Sequence, residues 1–165
     1  MSAPLNRRAG HRPEWLKIRI PGDLDRLPVS RLMNDLALNT VCQEARCPNI
    51  FECWSAGTAT FMILGEICTR RCTFCAVGKG KPLAPDDDEP RRVAAAVESM
   101  GVRHVVITMV NRDDLADGGA EQVAKTVLAI RERTGAAVEV LISDLEGDRD
   151  ALQIVLGAKP EVLAH

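Results

Sequence analysis

EPRRVAAAVESMGVRHVVITMV, residues 89–110, contains a helical period followed by a strand period. Pro90 sits near a helix start and Gly101 just past its end. Val93, Val97 and Met100 fall at i, i+4 and i+7 and mark one helix face. HVVITMV (104–110) is nearly continuous apolar sequence, which predicts a parallel strand covered on both sides. The same alternation extends outward. TATFMIL (58–64) predicts an earlier strand, Ala120, Val123, Val127 and Ile130 a helix stopped near Gly135, and AVEVLIS another strand. DRDALQIVLGAKP predicts a helix closed by Gly157 and Pro160, and EVLAH opens a fourth strand. Strand and helix alternating in this way predict βαβ units on a parallel sheet. At this point barrel and doubly wound sheet both remain open.

Upstream the texture differs. Residues 1–53 carry several Pro and Gly breaks, with one short helix predicted at SRLMNDLA, capped by Ser30 and burying Leu32, Met33 and Leu36. The expected organisation is an irregular extension over 1–53 and an α/β core over 54–165.

The chain has 165 residues, with 21 basic and 23 acidic side chains and a net charge of −2. No basic footprint points to nucleic acid, and aromatics at 3 % with no Tyr argue against base stacking. No apolar run approaches the ~20 residues of a membrane-spanning helix. The start shows an arginine pair without a following apolar stretch, so no secretory or twin-arginine signal is expected and the address is cytoplasmic. In that compartment six cysteines point to metal or redox chemistry rather than to a disulfide framework.

In βα folds the working loops lie at the carboxyl ends of the strands and open on one face. EICTRRCTFCAVGKG (66–80) follows the first strand and NRDDLADGG (111–119) the second, so both are expected at one mouth. The first loop sets Cys68, Cys72 and Cys75 at x3 and x2 spacing, enough to wrap three thiolates around one centre. A closed zinc site wants four ligands. A [4Fe–4S] cube takes one thiolate per iron, so three leave one iron open for an exogenous ligand. Arg70, Arg71, Lys79 and Lys81 are expected to favour thiolates and offset an anionic cluster. A zinc knuckle with a distant ligand, or inert buried thiols, remain alternatives on spacing alone.

Cys-x3-Cys-x2-Cys with Phe74 before the last Cys resembles the signature of the radical S-adenosylmethionine (SAM) enzymes. In that family the open iron chelates the amino and carboxylate groups of SAM, and an electron from the cluster cleaves the sulfonium to a 5′-deoxyadenosyl radical. Such hydrogen abstraction is cofactor chemistry that the protein orients. VCQEARCPNIFECW adds Cys42, Cys47 and Cys53 at x4 and x5 spacing. The combined run over 41–75, with PEWLKIRIP (13–21), VVITMVNRDDLADGGA (105–120) and the final EVLAH, resembles the lipoyl synthase family across essentially the whole chain.

That resemblance implies a parallel (β/α) barrel and two [4Fe–4S] clusters, an auxiliary one on Cys42, Cys47 and Cys53 and a radical one on Cys68, Cys72 and Cys75. It implies sulfur insertion at carbons 6 and 8 of an octanoyl chain on a lipoyl-carrier domain. The auxiliary cluster would be sacrificed as sulfur donor and a ferredoxin or flavodoxin would supply electrons, in a protein that is monomeric at full length. Phe74, Asn111, Arg112 and Asp114 are the candidate SAM contacts, with Gly118 and Gly119 allowing close backbone approach; the same Asp and Gly equally suit helix capping. His104 is expected as a satisfied core or rim residue, and His165 matches a family position near the mouth. The family's auxiliary cluster takes a fourth ligand from a serine of a C-terminal Arg-Ser-Ser motif, and Ser2, Ser30, Ser55, Ser99 and Ser143 lie in other contexts. With only about three βα units against the ~250 residues of a closed barrel, a truncated partial barrel, inactive or impaired, is expected. Another radical sulfur-inserting enzyme and a non-catalytic Fe–S or zinc module are the competing functions.

Overall fold

The computed structural model describes residues 27–165. The PEWLKIRIP stretch and the rest of 1–26 lie outside the described residues. In chain order the elements are α1 (Pro28–Asp35), β1 (Asn39–Thr40), α2 (Val41–Glu44), α3 (Ile50–Ser55), β2 (Thr60–Ile63), β3 (Ile67–Cys68), β4 (Gly78–Lys79), α4 (Glu89–Met100), β5 (His104–Met109), α5 (Ala120–Arg133), β6 (Ala137–Leu141), a short 3-10 turn (Leu145–Gly147), α6 (Arg149–Gly157) and β7 (Val162–Ala164).

The main sheet runs β1-β2-β5-β6-β7, parallel throughout except that β1 is antiparallel to β2. From β2 onward, spatial order follows chain order with no reversal, and α5 packs between α4 and α6. A doubly wound sheet would reverse its order at a switch point. The fold is therefore an α/β arc of the barrel type, consistent with a partial (β/α) barrel, with no closed barrel among the described residues.

Local chemistry explains the helix limits. In α4, Pro90 occupies the first turn, where a missing N–H costs nothing, and Gly101 caps the C-terminus in the left-handed region at φ 61°. At α1 the expected Ser30 cap is corrected. Pro28 sets the start two residues earlier, Leu27 is the cap residue, and Ser30 lies buried inside the helix with its hydroxyl unpartnered. Met33 is fully buried as expected, while Leu32 and Leu36 are only half-buried. At α6 the correction is smaller: Gly157 is the last helical residue, Ala158 the cap, and Lys159 the left-handed one at φ 57°.

Strand β5 also departs from expectation. Val105 and Ile107 are buried beneath the helices, but Val106 and Thr108 on the other face are half-open. With the helices on one side, the opposite face carries Val106, Thr108, Glu139 and Leu141 toward open space. One continuous core joins Val29, Met33 and Trp54 of the upstream helices to Phe61, Val97, Val127, Val138 and Val155.

Candidate functional site

The chain leaves β2 through a strained corner. Leu64 adopts φ 70° and Gly65 φ 91°. A non-glycine residue holds the left-handed region only where its surroundings enforce it. Here they do. The Leu64 N–H donates to Glu89 Oε2 at 3.0 Å, and Arg112 Nη1 donates to the Leu64 carbonyl at 3.4 Å. Gln122 Nε2 donates to the same Glu89 oxygen at 3.1 Å, so the buried carboxylate is partnered twice. The Leu64 side chain then fits over Gly119, where an added Cβ would stand 2.4 Å from Leu64 Cδ1.

Beyond the corner, the thiol loop closes on itself. β3 pairs in parallel with β4, setting Ile67 opposite Gly78 and Cys68 opposite Lys79. Gly80 N–H donates to the Cys68 carbonyl at 3.0 Å, Lys79 Nζ to the Cys72 carbonyl at 2.9 Å, and Cys75 N–H to the Cys72 carbonyl at 3.3 Å. Cys72 is exposed, Cys68 and Cys75 are half-buried, and Phe74 is 92 % exposed.

The predicted common mouth is present. Thr69 N–H donates to the Asn111 carbonyl at 3.1 Å, and Thr69 Oγ1 donates to Asp113 Oδ2 at 2.9 Å. Arg70 pairs with Asp113 at 2.8 Å and with Asp144 at 2.7 Å, joining the loops after β2, β5 and β6. The Arg70 hydrogen bond, followed by the Glu146 backbone N–H, holds the Asp144 carboxyl down to about 2. Arg70 likewise lowers Asp113, with Thr69 assisting.

These contacts redistribute the predicted roles. Arg70 commits its guanidinium to two carboxylates, Asp113 and Asp144. Arg71 and Lys81 are exposed. Arg112 is 2 % exposed and donates to Asp114, Leu64 and Leu83, bracing the β2 corner. That pairing lowers the Asp114 carboxyl. Asn111, oriented so that its amide is satisfied, accepts from Arg70 Nε at 3.2 Å. Gly118 and Gly119 receive Leu145 and Leu64 closely against their backbones. His104 Nε2 lies 2.9 Å from Glu139 Oε2 at the far end of β5, and His165 Nδ1 lies 3.1 Å from the Ile142 carbonyl at the mouth. Asp113, Asp144 and Thr69 were not singled out by the sequence. The only local hint is the doubled acid of Asn-Arg-Asp-Asp, and its spacing does not say which carboxylate faces the mouth.

The upstream thiols are held differently. Cys42 is buried in α2, whose Thr40 cap accepts from the Gln43 N–H. Cys47 N–H donates to the Cys42 carbonyl at 3.0 Å, and Cys53 lies in α3 beside fully buried Trp54. The two thiol segments are neighbours. Burial, and after it the charge of Glu66 at the root of the thiol loop, raises the Glu44 carboxyl. A cleft of about 340 Å³ opens at the root of the thiol loop, lined by Asn39, Gly65, Glu66 and Ile67 on one side and by Pro82, Leu83 and the start of α4 on the other.

All six thiols are free. Among the described residues no three or more His, Cys, Asp or Glu converge closely enough to hold one metal ion. An iron–sulfur cube takes each thiolate on its own iron, and the three free thiols of the closed 68–80 loop are donors of the type it binds.

The radical SAM superfamily pattern matches residues 62–165. The chain belongs to the radical SAM superfamily. It is 53 % identical to the lipoyl synthase of Chloroflexus aggregans over 99 % of this chain and 53 % of that protein. It is 53 % identical to that of Roseiflexus sp. over 99 % and 54 %, and 56 % identical to that of Symbiobacterium thermophilum over 93 % and 48 %. The chain spans about half the length of the curated relatives it matches. The radical SAM match begins inside β2 and takes in the whole thiol loop and mouth.

Proposed function

We propose that this protein acts in lipoyl synthesis, replacing hydrogen by sulfur at carbons 6 and 8 of a carrier-bound octanoyl group. The observation that carries this reading is the pair of ordered Cys triads in a radical SAM chain whose relatives at 52–56 % identity are named lipoyl synthase. In this reading Cys68, Cys72 and Cys75 hold the radical cluster and Cys42, Cys47 and Cys53 the auxiliary one. Residues up to 53 carry the auxiliary triad and 54–165 form the core.

When bound, the clusters and SAM supply the one-electron chemistry that unactivated C–H bonds require. The chain's own residues bind and orient. The Leu64–Gly65 corner, braced by Glu89 and Arg112, aims the thiol loop over the mouth. Exposed Phe74 offers an apolar surface beside Cys75, and Asn111, Gly118 and Gly119 lie on the facing loop. Buried Arg112 supports that loop from beneath, and exposed Asp114 holds the Arg112 guanidinium with its carboxylate at the loop surface. The octanoylated carrier and a low-potential reductant such as ferredoxin or flavodoxin are the proposed partners, in the cytoplasm. No described helix is long and apolar enough to cross a membrane.

Anaerobic reconstitution, reduction and incubation with SAM and an octanoyl-lysine peptide tests this. The expected result is 5′-deoxyadenosine, with sulfur on the peptide in the mass spectrum at the reduced level of an impaired partial barrel. Cleavage of SAM without sulfur on the octanoyl chain favours another radical sulfur enzyme, and a colourless, zinc-loaded protein favours a metal-holding module.

A further inference from the structure

Residues 66–80 reach the other described residues by hydrogen bonds from Thr69 and Arg70 alone; the remaining bonds of that loop close it on itself. Residues 71–74, which include Cys72, are exposed, so apolar packing does not fix the loop's outer half. Arg70 stands between Cys68 and Cys72 and bonds across 43 residues to Asp113 and 74 to Asp144. Its Nε and Nη2 both engage Asp113, at 2.9 and 2.8 Å to the nearer oxygens, while Nη1 takes Asp144 at 2.7 Å. Thr69 completes the tie, since its N–H donates to the Asn111 carbonyl and the Asp113 N–H donates back to Thr69 Oγ1 at 3.2 Å.

We propose that Arg70 is a positioning residue: its fork locks the thiol loop to the loops after β5 and β6, so that the cluster meets its cofactor in one pose. The proposal rests on the cluster reading above. An isolated ion pair with Arg70 31 % exposed would do little. A planar guanidinium serving two carboxylates in different directions instead fixes geometry, which a lysine ammonium cannot reproduce. Both carboxylates sit on mouth loops, so anything that shifts either loop also shifts the cysteines.

Hydrogen exchange of the metal-free chain at 66–80 is compared among wild type, Arg70→Lys and Asp144→Asn. The second variant keeps the test alive should the first fail to fold. Exchange there rises on the order of tenfold in both, with α4 and α5 unchanged. In the reconstituted, reduced chains, the change that SAM makes in the electron paramagnetic resonance spectrum, normalised to iron, weakens in both variants. Loop exchange within about twofold of wild type overturns the proposal. So does faster exchange with an unaltered response per iron, which would make Arg70 a structural tie only. If wild type takes up iron but ignores SAM, the cluster reading fails, and the exchange arm still decides whether the lock exists.

Discussion

The two thiol triads are anchored by different balances of packing and polar contact. Upstream, Cys42 and Cys53 ride on short helices whose neighbours, Ile50 and Trp54, lie in the common core. Downstream, Cys68 and Val77 touch that core at the loop's root, but Cys72 stands on an exposed outer half, and the bonds that tie the loop to its neighbours are polar. Packing energy is non-directional, whereas a charge-assisted fork fixes an angle. The upstream segment is therefore expected to fail through lost volume and the downstream loop through a carboxylate that gains a proton or a donor that is lost.

The sharpest way to break this contrast is Trp54→Ala. Emptying a fully buried indole site is expected to cost about 3–5 kcal/mol of stability in urea titration. A loss near zero would mean that the upstream helices do not share the core. Next comes Gly119→Ala, which adds a Cβ at φ 92° only 2.4 Å from Leu64 Cδ1. Strain and overpacking together predict about 2–3 kcal/mol, measured the same way, with the β2 corner displaced.

Acid sharpens the downstream side. The folded-state carboxyl of Asp144 is lowered to about 2 from 3.8, and that of Asp113 is lowered too. A depressed carboxylate stabilises above its unfolded value and loses that contribution as pH falls through the folded one. The urea-midpoint gap between wild type and Asp144→Asn is thus expected above about pH 4 and closes toward about pH 2. A gap that persists at the acid end would contradict the pairing. The smallest effect is expected for Phe74→Ala. At 92 % exposure it should change stability by less than about 0.5 kcal/mol, and a larger loss would reveal packing beneath the loop.

The helices and strands were legible because their signals are local. Pro90 and Gly101 bracket α4, and the apolar runs at 58–64 and 104–110 became β2 and β5. The thiol spacings were equally plain. Ser30 misled because Pro28, two residues earlier, is the stronger start signal. Arg70 and Arg112 could not be told apart in sequence, since each stands beside acids or thiols of its own loop. Only tertiary placement sends one to Asp113 and Asp144 at the mouth and the other beneath Leu64. Contacts bridging 43 and 74 residues leave no periodic trace.

The most direct measurement is Mössbauer spectroscopy of the chain reconstituted with isotopically enriched iron, with and without SAM. Cubane iron is expected on both triads, with one iron site of the downstream cluster shifting when SAM is added and that response lost in Cys72→Ala. Zinc in place of iron, or cubane spectra that SAM leaves unchanged, would contradict it.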